Sequence, residues 1–150
     1  MLKDRLSQAK NEKHFCKTVT ATETPSTGVD LKGFSAATVI CTVGAVTNIA
    51  NSPQPSWKLS LEESDSASTG FTSVDDDDAL TTYGNNDGSL SSGIFATIDA
   101  ADEDDAVYTV GYIGTKRYIR VVATAANTPG ATPISVVVQK ESMQKPQDDE

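Results

Sequence analysis

The chain has 150 residues, a formal net charge of −9, and 37% hydrophobic and 6% aromatic residues. This length allows one modest core, and the many Thr, Ser, Val and Asp residues favour short strands and turns over long helices. No run of 18 apolar residues occurs, and no apolar leader follows Met1. We therefore expect neither a membrane-spanning helix nor a secretion signal, and we expect a soluble protein that folds in a cytoplasm.

The first segment of the chain, residues 1–14, is polar and basic. Residues 1–17 hold five basic side chains against Asp4 and Glu12, a balance of +3 that leaves −12 for the remainder. The apolar residues of segment 1–14 are too few to stabilise a helix. The segment is therefore predicted to be a disordered arm that becomes ordered on an acidic partner, or else a frayed terminus. The basic residues expected to bind that partner are Lys3, Arg5, Lys10, Lys13 and Lys17.

From Phe15 onward, β-branched runs separated by turn signals predict seven or so short strands. The run Ser35–Val43 is mostly apolar and is predicted to be a buried core strand. In the run that begins at Trp57, apolar and polar residues alternate, so Trp57, Leu59 and Leu61 should face the core. The other predicted strands are Phe15–Thr22, Gly70–Val74, Gly93–Ile98, Ala106–Ile113, Lys116–Thr124 and Ile134–Val138.

Two of these runs, Ala106–Ile113 and Lys116–Thr124, are separated only by Gly114 and Thr115. Because this is the length of a tight hairpin, the two strands are predicted to pair with each other. Short strands without a helical core segment predict an all-β fold, an antiparallel, jelly-roll-like sandwich or barrel with an extended N-terminal arm. The predicted organisation is an arm at 1–14, a sandwich domain at 15–139 and a polar tail at 140–150.

The sequence lacks the patterns of an acid–base, nucleophilic or zinc site. Its single histidine, His14, falls in the predicted arm, where it could not be held in catalytic geometry. Cys16 and Cys41 have no CxxC spacing and are expected to be two buried free thiols rather than a disulfide. We therefore expect neither enzyme activity nor a cofactor.

Acidic loops are the remaining candidates for a metal site. Their carboxylates could hold Ca²⁺, but consecutive aspartates point in divergent directions, so we prefer solvated loops and expect no metal. The strongly acidic body would also repel phosphate, so we expect no direct binding to nucleic acid, and we expect no membrane partner. The acidic loops are Asp75–Asp78, Asn85–Asp87 and Asp99–Asp105.

One basic cluster lies outside the arm, at Lys116, Arg117 and Arg120. It could form a docking patch for an acidic neighbouring subunit. It could equally pair locally with Asp102–Asp105 or with Glu62 and Glu63 across the sheet. The sequence leaves both interpretations open.

The order of five segments carries a resemblance. They are Leu31–Phe34 (LKGF), Ala37–Thr47 (ATVICTVGAVT), Trp57–Asp65 (WKLSLEESD), Phe71–Leu80 (FTSVDDDDAL) and Val110–Thr124 (VGYIGTKRYIRVVAT). In this order the chain resembles a family of small β proteins encoded among the head and tail structural genes of tailed phages and prophages. The most specific pieces are the LEESD and GYIGTKRYIR segments, and neither is a catalytic signature.

This resemblance implies a structural protein of the virion, assembled in the bacterial host cytoplasm. The implied position is on the capsid, as a decoration, cement or turret-like subunit that binds the major capsid protein or other virion subunits. Particle symmetry implies a homo-oligomer of three, five or six copies. Two alternatives stay open: a tail or head–tail connector component, and a surface host-binding module that uses the loops Ser64–Gly70 and Thr81–Ser92.

Overall fold

The computed structural model describes residues 9–81 and 90–142. In these ranges the chain forms two antiparallel sheets that pack face to face, so the predicted all-β sandwich is confirmed. Within the same ranges, no helix is long and apolar enough to cross a membrane. The strands are β1 (Ala9–Val19), β2 (Val29–Asp30), β3 (Ala36–Val43), β4 (Ser56–Ser64), β5 (Thr72–Ser73), β6 (Ala79–Thr81), β7 (Ile94–Ile98), β8 (Ala106–Tyr112), β9 (Tyr118–Ala126) and β10 (Thr132–Glu141).

Sheet A has the strand order β1-β10-β3-β8-β6, and sheet B has the order β2-β9-β4-β5, with β7 also paired to β4. The strand in which apolar and polar residues alternate contributes to the core, as predicted: Trp57, Leu59 and Leu61 are fully buried. The indole Nε1 of Trp57 on β4 donates a hydrogen bond of 2.9 Å to Oγ1 of Thr132 on β10. Because these strands belong to different sheets, this bond ties the two layers together.

The predicted hairpin between Ala106–Ile113 and Lys116–Thr124 is wrong. β8 pairs with β3 and β6 in sheet A, whereas β9 pairs with β4 and β2 in sheet B. The short connection therefore crosses from one sheet to the other. It turns around the hydroxyl of Tyr112, which accepts a 3.0 Å hydrogen bond from the backbone N–H of Lys116. A Cβ at Gly114 would lie 2.5 Å from that oxygen, so the crossover requires a glycine at this position.

The predicted boundaries of the arm and of the tail are also wrong where the structure describes them. β1 begins at Ala9 and pairs with β10 from Ala9↔Glu141 to Val19↔Thr132, so residues 9–14 belong to the sheet. β10 continues to Glu141, which places the first residues of the predicted tail in the same ladder. Both differences have the same physical reason. The polar segments at the two ends pair with each other, and each satisfies the backbone N–H and C=O groups of the other. Residues 1–8 and 143–150 lie outside the described ranges.

Candidate docking surface

Lys116 and Arg117 lie on the crossover between the sheets, where β8 leaves sheet A. This crossover and the β2–β3 connection enclose an open surface pocket of about 360 Å³. Its lining includes a third cation, Lys32, together with the rings of Phe34 and Tyr112. The pocket is therefore lined by three cationic residues together with aromatic, small and polar ones, a combination that suits an acidic side chain on a partner protein.

Both basic residues of the crossover have carboxylate partners within the chain. Nζ of Lys116 lies 2.6 Å from Oδ2 of Asp65, and Arg117 forms a fork with Asp30, with Nε–Oδ1 and Nη2–Oδ2 distances of 2.9 and 2.8 Å. The hydrogen bonds from Arg117 lower the pKa of Asp30 to about 2. Both pairs are exposed, so each contributes little to stability and can exchange its carboxylate for that of a partner.

Arg120 is not part of this pocket. It lies on the outer face of sheet B, where its Nη2 is 2.7 Å from Oε2 of Glu62 and its side chain is only 15% exposed. Its Nη1 also donates to the Pro25 carbonyl at 2.9 Å, and its guanidinium carbon lies 4.1 Å from the centre of the Phe71 ring. The structure thus gives Arg120 the local pairing with Glu62 that the sequence left as one of two interpretations.

The arm residues Lys10, Lys13 and Lys17 lie on β1, which is an edge strand of sheet A, and all three are exposed. Lys17 pairs with Glu23 at 2.7 Å. The ladder of β1 has an irregularity between Lys13 and Phe15, which leaves His14 as an extra residue. Lysines and bulges are features by which edge strands avoid pairing with other chains. These lysines therefore have a local role beside any docking role, and Lys3 and Arg5 lie outside the described residues.

His14 is not mobile, in contrast to the prediction. Its Nε2 accepts a hydrogen bond of 3.3 Å from the backbone N–H of Val121 on β9, between the residues that pair with β2 and with Glu23. Burial, and next the charge of Arg120, lower the pKa of His14 to about 4, so the ring is neutral at pH 7. A neutral ring with Nε2 used as acceptor serves the fold: it satisfies an edge N–H of β9 that no strand covers at this position.

A buried polar pair that the sequence did not reveal lies behind the pocket. The hydroxyl of Tyr112 on β8 donates a 2.6 Å hydrogen bond to Oε2 of Glu63 on β4, and both residues are buried. Burial and this bond raise the pKa of Tyr112 above its ordinary value. The pair joins the two sheets at the crossover and holds the floor of the pocket. Glu63 stands next to Glu62 in a polar run, so alternation alone could not distinguish it from a surface carboxylate.

We expect Tyr112→Phe to lower the free energy of unfolding by about 2 kcal/mol, because the buried Glu63 carboxylate loses its hydroxyl donor. Urea denaturation at pH 7 measures the loss. Tyr118→Phe is the matched control, because Tyr118 is only half-buried and lies on the outer face of sheet B, with its ring beside Arg117. Equal losses in the two variants would contradict a specific role for the Tyr112–Glu63 bond.

The remaining nucleophilic and metal-ligating groups are set apart from one another. Cys41 is buried, which raises the pKa of its thiol, whereas Cys16 is exposed, contrary to the prediction that both are buried; neither forms a disulfide. Across residues 9–81 and 90–142, no three His, Cys, Asp or Glu side chains are grouped to hold a metal ion. Asn85–Asp87 lies outside these ranges.

Two carboxylates of the acidic loop Asp99–Asp105 accept hydrogen bonds from backbone N–H groups. Oε2 of Glu103 accepts hydrogen bonds from the N–H groups of Asp99 and Ala100 at 2.8 and 3.1 Å, and Oδ2 of Asp104 accepts one from Val46 at 2.9 Å.

No family model and no curated protein matches the chain. The function must therefore be inferred from the chain's own residues and from how the fold arranges them.

Proposed function

We propose that this chain is a non-enzymatic structural subunit of a tailed-phage virion, a capsid decoration or cement protein that binds and stabilises the head. One observation carries the proposal: the two segments most specific to the phage family, Leu61–Asp65 and Gly111–Arg120, form a single structural unit. Three side-chain contacts join them, Tyr112 to Glu63, Lys116 to Asp65 and Arg120 to Glu62. The two segments thus meet at the crossover, where Tyr112, Lys116 and Arg117 of the second segment line the pocket.

This unit supports a binding role. Its pocket cations, Lys116 and Arg117, are held by exposed carboxylates that a partner can replace, and the pocket offers Phe34 for apolar contact. The proposed partner is an acidic segment of the major capsid protein or of another virion subunit. Copies placed on a symmetric shell would form three-, five- or six-fold groups, each subunit adding contacts that resist the pressure of packaged DNA.

The first experiment is co-sedimentation of the purified full chain with phage heads that lack this protein and, separately, with isolated tails. We expect saturable binding to heads at a multiple of the icosahedral sites. The double variant Lys116→Gln and Arg117→Gln should bind on the order of tenfold more weakly, because both exchangeable cations are lost. Lys58→Gln, at an exposed position on the outer face of sheet B, is the control and should bind as the unchanged chain does.

Other outcomes would reject parts of this proposal. Binding to tails alone would favour a tail or connector component, and binding to neither would favour the host-binding module. Equal binding by the double variant and the control would remove the pocket from the interface. An arm contribution is tested by deleting residues 1–8, because deletion of 1–14 also removes part of β1, including Glu12 and His14.

A further inference from the structure

The outer face of sheet A differs in composition from the rest of this acidic chain. On β3 the outward positions are Ala36, Thr38, Ile40 and Thr42, and on β8 they are Val107, Thr109 and Gly111. The register places Ile40 between Thr109 of β8 and Val137 of β10. The centre of this face is therefore a mixture of aliphatic and small hydroxyl side chains.

Three large hydrophobic residues are exposed at one side of the same face. Val107 is 55% exposed on β8, Leu80 is 56% exposed on β6, and Ile113 is 43% exposed just after β8. Leu80 is paired with Gly111, and its Cβ would be 3.1 Å from a Cβ at that position. Because Gly111 and Ile113 are two residues apart on an extended chain, all three hydrophobic side chains face the same way.

Charge is nearly absent from this face. Among the outward positions of sheet A within residues 9–81 and 90–142, only Lys13 on β1 and Glu141 on β10 are charged, and their charges cancel. The whole chain carries a net charge of −9, so two copies repel each other on average. A neutral face is the surface through which two such copies can meet at the lowest electrostatic cost.

The edges of sheet A are poor sites for self-association, unlike its face. At one edge, β1 carries Lys10, Lys13 and Lys17 and the irregularity at His14, which oppose strand pairing. At the other edge, the described part of β6 has three residues. Strand addition is thus disfavoured at β1, and the face offers the larger described surface for contact.

The face is large enough for a specific contact. β10 has ten residues and so extends about 33 Å, and the four longer strands at about 4.8 Å spacing give a width of about 19 Å. The flat area is on the order of 600 Å², and side chains add accessible surface to it. Stable interfaces bury about 600–1,000 Å² per partner, so a second copy that covers the whole face reaches the lower end of this range.

We propose that the outer face of sheet A is a self-association surface on which a second copy of this chain packs, face to face, about a two-fold axis. The same patch then serves both copies, as two-fold symmetry requires. Val107, Leu80 and Ile113 become buried in the contact. The inference depends only on the residues of this sheet and is independent of the virion proposal.

Sedimentation equilibrium of the full chain, from about 5 to about 500 µM, measures the association. We expect a monomer–dimer equilibrium in this range. Thr42→Glu, at an exposed position on this face beside Val107, should raise the dissociation constant at least about tenfold, because each copy would bring a charge into the contact. The matched control is Thr124→Glu, the same change at an exposed position on the outer face of sheet B, and it should leave the constant within about twofold.

A second variant separates burial from net charge. Thr42→Lys makes the chain less acidic, so it would strengthen an association governed by overall repulsion, but it should weaken a contact in which Thr42 becomes buried. Circular dichroism checks that each variant keeps the β fold, which exposed substitutions should preserve. A chain that stays monomeric throughout the range, equal effects of Thr42→Glu and Thr124→Glu, or stronger association of Thr42→Lys would each overturn the inference.

Discussion

Glu12→Leu is expected to lower the free energy of unfolding by about 3–5 kcal/mol, even though Glu12 lies on an edge strand. Its Oε2 is 2.6 Å from Nζ of Lys140, whose side chain is only 5% exposed. The other contacts that the structure gives this ammonium are the Asp30 carbonyl at 3.0 Å and the Phe34 ring, whose centre lies 5.1 Å away. Without the Glu12 carboxylate, the buried ammonium would lose its ion pair, and the nearby Asp30 carboxylate is already paired with Arg117.

The reverse substitution should be much milder, and this asymmetry makes the prediction specific. Lys140→Met keeps a long apolar side chain in the same space, and the Glu12 side chain, 39% exposed, can turn towards water. We expect a loss of about 1 kcal/mol, because no charge is left buried.

Urea denaturation of each variant at pH 7 provides the comparison. The control is Asp65→Leu, which breaks the Lys116–Asp65 pair of the same 2.6 Å distance at an exposed position and should cost below about 1 kcal/mol. If Glu12→Leu and Lys140→Met have equal effects, or if Glu12→Leu behaves like the control, burial of Lys140 is not what stabilises the pair.

The importance of this pair could not be read from the sequence. Strands with a clear period of two, such as that of Trp57, Leu59 and Leu61, were predictable because the pattern is local. Lys140 and Glu12 lie 128 positions apart in polar segments and meet only because β1 and β10 are neighbours. Each segment alone has the sequence of a solvated terminus. Only the pairing of β1 with β10 gives each segment a face that points into the protein.

The wrong hairpin has a related cause. A two-residue link between two alternating runs is compatible with a hairpin or with a crossover between sheets, and the local sequence is the same for both. The choice is made by β4, which pairs along β9 from Ser56↔Ala126 to Ser64↔Tyr118. The candidate pocket was therefore only half predictable: Lys116 and Arg117 were identified, but Lys32 and Phe34 join them through the non-local topology.

Acidification from pH 7 to pH 5 should destabilise the protein by about 2 kcal/mol through His14 alone. Its pKa falls from the ordinary 6.5 to about 4 on folding, because the ring is partly buried near Arg120, while Glu12 and Glu23 oppose the shift. Between these two values the unfolded chain binds more protons than the folded chain. Stability is therefore full above pH 6.5 and declines as the pH falls towards 4, where protonation also removes the acceptor for the Val121 N–H.

His14→Gln separates this contribution from that of the carboxylates, which are common to both proteins. A glutamine Oε1 can accept the same hydrogen bond from Val121 but does not titrate, so the variant's stability should change about 2 kcal/mol less over this interval. Urea denaturation of both proteins at half-unit pH steps gives the two curves. Parallel curves would mean that His14 titrates normally in the folded protein. In that case the ring could not be the acceptor that closes the open edge of β9 against β1.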